Sequence, residues 1–134
     1  MIHEIHLQTK KHNEMIDITT QVQNFVTTQN IQDGLPIVYC PHTTAGITIN
    51  ENADPDVQSD FLRRLNEIYP WDDPKDRHIE GNSAAHLKAG TVGPSQTITE
   101  NYSWAAGKVY IFVSLMGRGS GVVMGRLLER KLDE

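Results

Sequence analysis

The chain has little cysteine: Cys40 is the only one among 134 residues. Without a second thiol no disulfide framework can form, and a reducing compartment is the expected setting. Basic residues also run short, with 12 Lys and Arg against 17 Asp and Glu and a formal net charge of -5. No basic stripe is available to track a phosphate backbone, so nucleic acid is not expected as a partner. There is no apolar run of membrane-spanning length, and MIHEIHLQTKK at the start lacks the charged n-region and apolar h-region of a signal peptide. A cytoplasmic protein with no membrane partner is the expectation. Repeats and low-complexity tracts are missing too, and the length suits one domain with one core.

What is present reads as alternating strands and helices. Ile5, Leu7 and Thr9 alternate with His6, Gln8 and Lys10, the period of two of a half-buried strand. Ile18, Val22, Phe25 and Val26 then fall at helical spacing, with Thr20 and Gln23 placed for a capping box. Asp33-Gly34 turns the chain into the strand LPIVYC, Pro41 interrupts it, and the strand AGITIN follows. Asp54-Pro55 predicts a helix start, since aspartate accepts from free N–H groups and proline at the first position needs no donor. That helix is expected to run to about Tyr69 and to bury Val57, Phe61, Leu65, Ile68 and Tyr69. After the polar loop PWDDPKDR, Asn82 can cap the small-residue helix SAAHLKAGTV, which Gly93-Pro94 ends. SQTITEN, KVYIFVSLM and VVMGRLLER complete the chain as apolar, strand-like runs, with GRGSG as a turn between the last two. The spacing of Gly119, Gly121 and Gly125 does not fit a dinucleotide-binding loop. The sum is a single compact α+β domain with mostly antiparallel strands.

Two segments carry more polar chemistry than folding needs. In HTTAGITINENAD, His42 stands where Pro41 breaks a strand, a place that presents side chains to a cleft, though taken alone a histidine hydrogen-bonded inside the fold is the commoner case. Thr43 and Thr44 suit capping, a turn or an oxyanion. Asp54 is explained as a helix cap, but one helix start does not need Asn50, Glu51 and Asn52 as well. These offer oxygen ligands for a hard cation or hydrogen bonds to a substrate. In HIEGNSAAHLK, His78, Glu80, Asn82, Ser83, His86 and Lys88 crowd into eleven residues; the two histidines and a carboxylate are metal-capable, but the spacing from 78 to 86 is not that of a zincin helix. Elsewhere the bland roles prevail: His3, His6 and His12 as solvated residues, Cys40 as a buried structural thiol, Trp71 and Trp104 as closers of a core or interface.

YCPHTTAGITINENADPDV, LRRLNEIYPW, and DRHIEGNSAAHLKA followed by VGPSQ together resemble the YjbQ family, also called the secondary thiamine-phosphate synthase family. The resemblance runs from about Glu14 to Ser95. It implies a compact α+β domain forming a homotrimer with sites near subunit boundaries, and a thiamine-phosphate synthase activity regarded as secondary. It falls on His42, Thr43, Thr44, Asn50, Glu51, Asn52, Asp54, His78, Glu80, Gly81, Asn82, Ser83, His86 and Lys88. Toward the C-terminus the chain departs from the family pattern, reading AGKV at 106–109 in place of a GTWQ segment and LMGRGSG in place of an FDGPR turn.

With the resemblance added, the two segments are expected as two walls of one pocket taking a small anionic substrate. His42, His78, His86, Glu51 and Lys88 are the candidates for catalysis, and Thr43, Thr44, Asn50, Asn52, Asn82 and Ser83 for substrate binding. A divalent ion, magnesium or zinc, would fall to His42, His78, His86 and Glu80. Two other functions are consistent with the same residues. One is zinc-assisted hydrolysis, with Glu80 or Glu51 activating water; the other is a non-catalytic metabolite-binding or trimer-assembly module.

Overall fold

The computed structural model describes residues 2–29, 34–51, 54–98, 108–114 and 122–131, with only the backbone path of residue 34 and of the last two segments. Among the described residues the elements run in the order β1 (Ile2–Gln8), β2 (Asn13–Asp17), α1 (Thr19–Thr28), β3 (Gly34–Tyr39), β4 (Ala45–Asn50), α2 (Pro55–Ile68), α3 (Ser83–Val92), β5 (Ser95–Thr97), β6 (Lys108–Ser114) and β7 (Val122–Lys131). They form a four-stranded sheet ordered β1-β7-β3-β5 and a three-stranded sheet ordered β2-β6-β4, with every pairing antiparallel. This is the α+β architecture that the alternation of apolar runs predicts. No helix among the described residues is long and apolar enough to cross a membrane.

The core draws on both sheets. Ile5 and Val38 from the first meet Ala45 and Ile47 from the second, and Val22 and Phe25 of α1 join them with Ile18, Cys40 and Ile98. Each of these side chains removes its surface from water, worth roughly 1.5–3 kcal/mol for a fully buried Val, Ile or Phe. Cys40 is buried as expected, and burial pushes its thiol up from the ordinary range against a smaller opposing effect from the His42 backbone N–H.

Several local details differ from the sequence reading. NEMID forms β2, which pairs with β6; its four half-buried residues are too few to announce a period. Ile18 rather than Thr20 is the N-cap of α1, and Asp17 replaces the expected capping box by accepting from Thr19 N at 2.9 Å and from its hydroxyl at 2.5 Å. At α2 the expected cap holds, with Asp54 Oδ1 accepting from Asp56 N at 2.9 Å and Pro55 in the first turn. The apolar face of α2 is largely uncovered in the single chain: Leu65 is buried, Val57 and Phe61 are half-buried, and Ile68 is 64% exposed. Within SQTITEN, Ser95–Thr97 is strand, while the rest of that run beyond Ile98, the GRGSG turn and Trp104 lie outside the described residues.

α3 is the element that places the site. Its alanines Ala84, Ala85 and Ala89 are buried, so the helix lies close against β4. Its exit is clamped from two sides, Ile47 N donating to Gly93 O at 2.9 Å and Cys40 N donating to Pro94 O at 2.8 Å. Gly46 makes that approach possible. A Cβ there would stand 2.6 Å from Gly93 O and 2.9 Å from Val92 Cγ1.

Candidate functional site

His78 and His86 come together from opposite ends of a tight turn. Gly81 adopts a positive φ of 69° and its N–H donates to His78 O at 2.9 Å, so the chain doubles back just before α3 begins. Glycine tolerates that backbone region without the steric cost other residues meet. The outcome is an edge-on pair of imidazoles with centroids 5.1 Å apart and planes at 70°. His78 Nε2 also lies 3.9 Å from Glu80 Oε2, an exposed and therefore weak pairing.

A cavity of about 480 Å³ opens here, lined by Asp76, His78, Ser83, His86 and Leu87. Two buried polar atoms of this region lack a hydrogen-bond partner among the described residues: His86 Nε2 and Asn82 Oδ1. Leaving such atoms unpaired costs about 1–3 kcal/mol each, which a bound ligand or water would recover. Asn82 stands at the N-cap position but makes no capping bond with its side chain, so the expected structural role does not account for it.

Lys88 belongs elsewhere. Two residues of α-helix turn a side chain by about 200°, so Lys88 leaves α3 on the side opposite His86. It is only 1% exposed, and its ammonium donates to Asn66 Oδ1 on α2. Burial pulls its pKa below the ordinary lysine range. Asn66 carried no signal in the sequence, sitting among charged residues on the wet side of an amphipathic helix. A second bond ties the same helices: Thr91 gives its hydroxyl proton to Leu87 O at 2.8 Å, so Tyr69 is the donor in the 2.8 Å contact between Tyr69 and Thr91.

The residues of the first segment stand apart from this cavity in the single chain. His42 and Thr43 are exposed in the connection between β3 and β4, Thr44 is half-buried, and Glu51 is exposed. Asn50 turns its side-chain oxygen onto Glu51 N at 2.8 Å. None of these lines the His78–His86 cavity, and Asn52 lies outside the described residues. Among the described residues no three His, Cys, Asp or Glu side chains gather as metal ligands, so His42 does not join His78, His86 and Glu80. His12, expected in solvent, is half-buried and packs edge-on against Trp71 with centroids 4.1 Å apart.

Antiparallel sheets packed with helices, and a histidine-lined cavity at the start of α3, define a small α+β protein with a strongly polar entrance to that helix. The profile described as UPF0047 protein YjbQ-like matches residues 3–108, and the chain belongs to that family. Among its relatives, UPF0047 protein YugU of Bacillus subtilis (strain 168) is 57% identical over 102 residues, covering 75% of this chain and 77% of the relative. UPF0047 protein MJ1081 of Methanocaldococcus jannaschii is 44% identical over 100 residues, covering 73% and 70%. The crystal structure of an uncharacterized conserved protein of the YjbQ/UPF0047 family from Clostridium acetobutylicum superposes with a TM-score of 0.81 at 39% identity, covering 94% of this chain and 99% of that one. The hypothetical protein APE1520 from Aeropyrum pernix K1 superposes with a TM-score of 0.83 at 25% identity, covering 98% and 99%.

Proposed function

We propose that this protein is a small-metabolite enzyme acting on phosphorylated substrates at the His78–His86 cavity, with thiamine-phosphate synthase chemistry as the reaction. The observation that carries this reading is the pair of buried, unpartnered polar atoms, His86 Nε2 and Asn82 Oδ1, at the N-terminal end of a ten-residue helix. Free N–H groups in the first turn at Ser83 favour phosphate oxygens, and the imidazoles supply hydrogen bonds or proton transfer beside them.

In the proposed condensation the thiazole nitrogen attacks the methylene carbon of hydroxymethylpyrimidine pyrophosphate. A carbon–nitrogen bond forms, the carbon–oxygen bond breaks, and its electron pair leaves with pyrophosphate. His86 donates to a departing phosphate oxygen, His78 holds the imidazole pair in place, and the first turn of α3 receives the growing negative charge. Magnesium or zinc enters only as a partner of His78 and His86. The described side chains do not form a three-ligand set, and no step here depends on an ion. Metal analysis of protein purified without a histidine tag tests that part: a stoichiometric divalent ion supports it, and metal-free protein with full turnover removes it.

The proposal includes a homotrimer in which His42, Thr43, Thr44, Asn50 and Glu51 of a neighbouring copy complete the site. Apolar side chains left in water near the cavity support it, Ile79 being fully exposed and Leu87 48% exposed. Light scattering is expected to give three times the chain mass of 15.1 kDa, and a monomer overturns the assembly.

The reaction itself is tested by thiamine phosphate formation from the two phosphorylated precursors, with His86→Ala as the matched control. Turnover lost in a folded His86→Ala protein supports the reading. Absence of turnover in the wild type, or equal turnover in both, contradicts it.

A further inference from the structure

A second cavity of about 560 Å³ lies at the C-terminal end of α2, lined by His12, Asn13, Asn66, Pro70, Trp71 and Asp72. It shares no lining residue with the His78–His86 cavity. We propose that this cavity is a binding site for a small zwitterion, a molecule with an anionic carboxylate at one end and an ammonium group at the other.

One wall is electropositive for a reason buried behind it. Lys88 is sealed from water, and among the described residues its one hydrogen bond goes to the neutral amide oxygen of Asn66, with no carboxylate to balance its charge. That oxygen also accepts from Asn13 Nδ2 at 3.2 Å. With Asn66 Oδ1 doubly engaged, the Nδ2 hydrogens of Asn66 have no protein partner among the described residues. An ammonium on the carbonyl end of an amide polarises its N–H bonds, which makes Asn66 a stronger donor to an anion at the cavity wall.

The opposite character comes from Trp71 and Asp72. The indole is half-buried and held edge-on by His12, and the Asp72 carboxylate is exposed and without an ion pair among the described residues. A carboxylate beside an indole suits an ammonium group, through charge pairing and attraction to the ring face. A simple anion would meet Asp72, and a simple cation would meet the field of Lys88. A ligand carrying both charges satisfies both walls. The inference stands apart from the reading of the His78–His86 cavity, since it uses other residues and requires no turnover.

The test is ligand-observed NMR titration of the full chain with 4-aminobutyrate, butyrate and butylammonium. The zwitterion is expected to bind at least tenfold more tightly than either singly charged analogue. Asp72→Asn, a surface change, and Asn66→Asp, which gives Lys88 an ion-pair partner and so preserves folding, are each expected to weaken binding at least tenfold. His86→Ala is expected to leave it unchanged. Failure of 4-aminobutyrate to bind, equal binding of butyrate, retention of binding in both cavity variants, or its loss in His86→Ala would each overturn the proposal.

Discussion

Lys88 donates to Asn66 across the junction of α3 and α2, while His86, two positions earlier on the same helix, opens on the other cavity. One short helix therefore serves two polar environments. A buried ammonium with only an amide for company is destabilising, because desolvation is not matched by an opposite charge.

Lys88 gives the protein a pH-dependent stability with a definite sign. Its folded pKa is lowered by burial relative to the unfolded value of about 10.4. Below the folded pKa both states hold the proton and the burial penalty is fully present. As pH rises through the folded pKa toward the unfolded one, the native state sheds its proton first and stability increases. Urea midpoints of wild type relative to Lys88→Met are expected to climb across alkaline pH; parallel profiles would show that Lys88 is not strained by burial.

Gly81→Ala separates stability from site geometry. A Cβ at Gly81 meets no atom within 4 Å, so the cost is conformational alone, about 1–2 kcal/mol for a left-handed residue. Because this turn sets His78 over His86, turnover is expected to fall well beyond what the lost stability explains. Kinetics measured below the melting range of the variant check this, and unchanged kcat would detach the turn from the site.

Gly46→Ala acts through packing. Its methyl would collide with Gly93 O and Val92 and push the end of α3 off β4. Overpacking of this kind costs about 1–3 kcal/mol, read as a lower urea midpoint. A midpoint equal to wild type would mean that α3 does not need this close approach.

Cys40 is expected to resist thiol reagents in the native protein. Burial raises its pKa, which lowers the thiolate fraction, and also blocks access. Reaction with an aromatic disulfide reagent should be absent in buffer and complete in denaturant; a prompt native reaction would contradict the packing described.

Much of this arrangement is legible in the residues themselves. The alternation around Ile5, the Asp54-Pro55 helix start and the alanines of α3 each act through local geometry, so each announces its element. The pairing of His78 with His86 follows from a turn and one helical turn, both local. What escapes the sequence is longer in range. Asn66 joins Lys88 from 22 positions away, His12 meets Trp71 from another part of the chain, and the uncovered face of α2 has the same spacing as a buried one. The capping box at Thr20 fails for a different reason, since α1 starts two residues earlier and Asp17 accepts from the N–H of its first residue, Thr19.

Histidine imidazole NMR during titration with inorganic pyrophosphate probes phosphate binding at the start of α3, because the six histidines report on separate parts of the chain. Saturable shifts of His78 and His86 are expected, lost in His86→Ala for the remaining resonance of the pair, while His3, His6 and His12 stay fixed. Shifts confined to His12, or none at all from a folded protein, would contradict a phosphate-binding site at the start of α3.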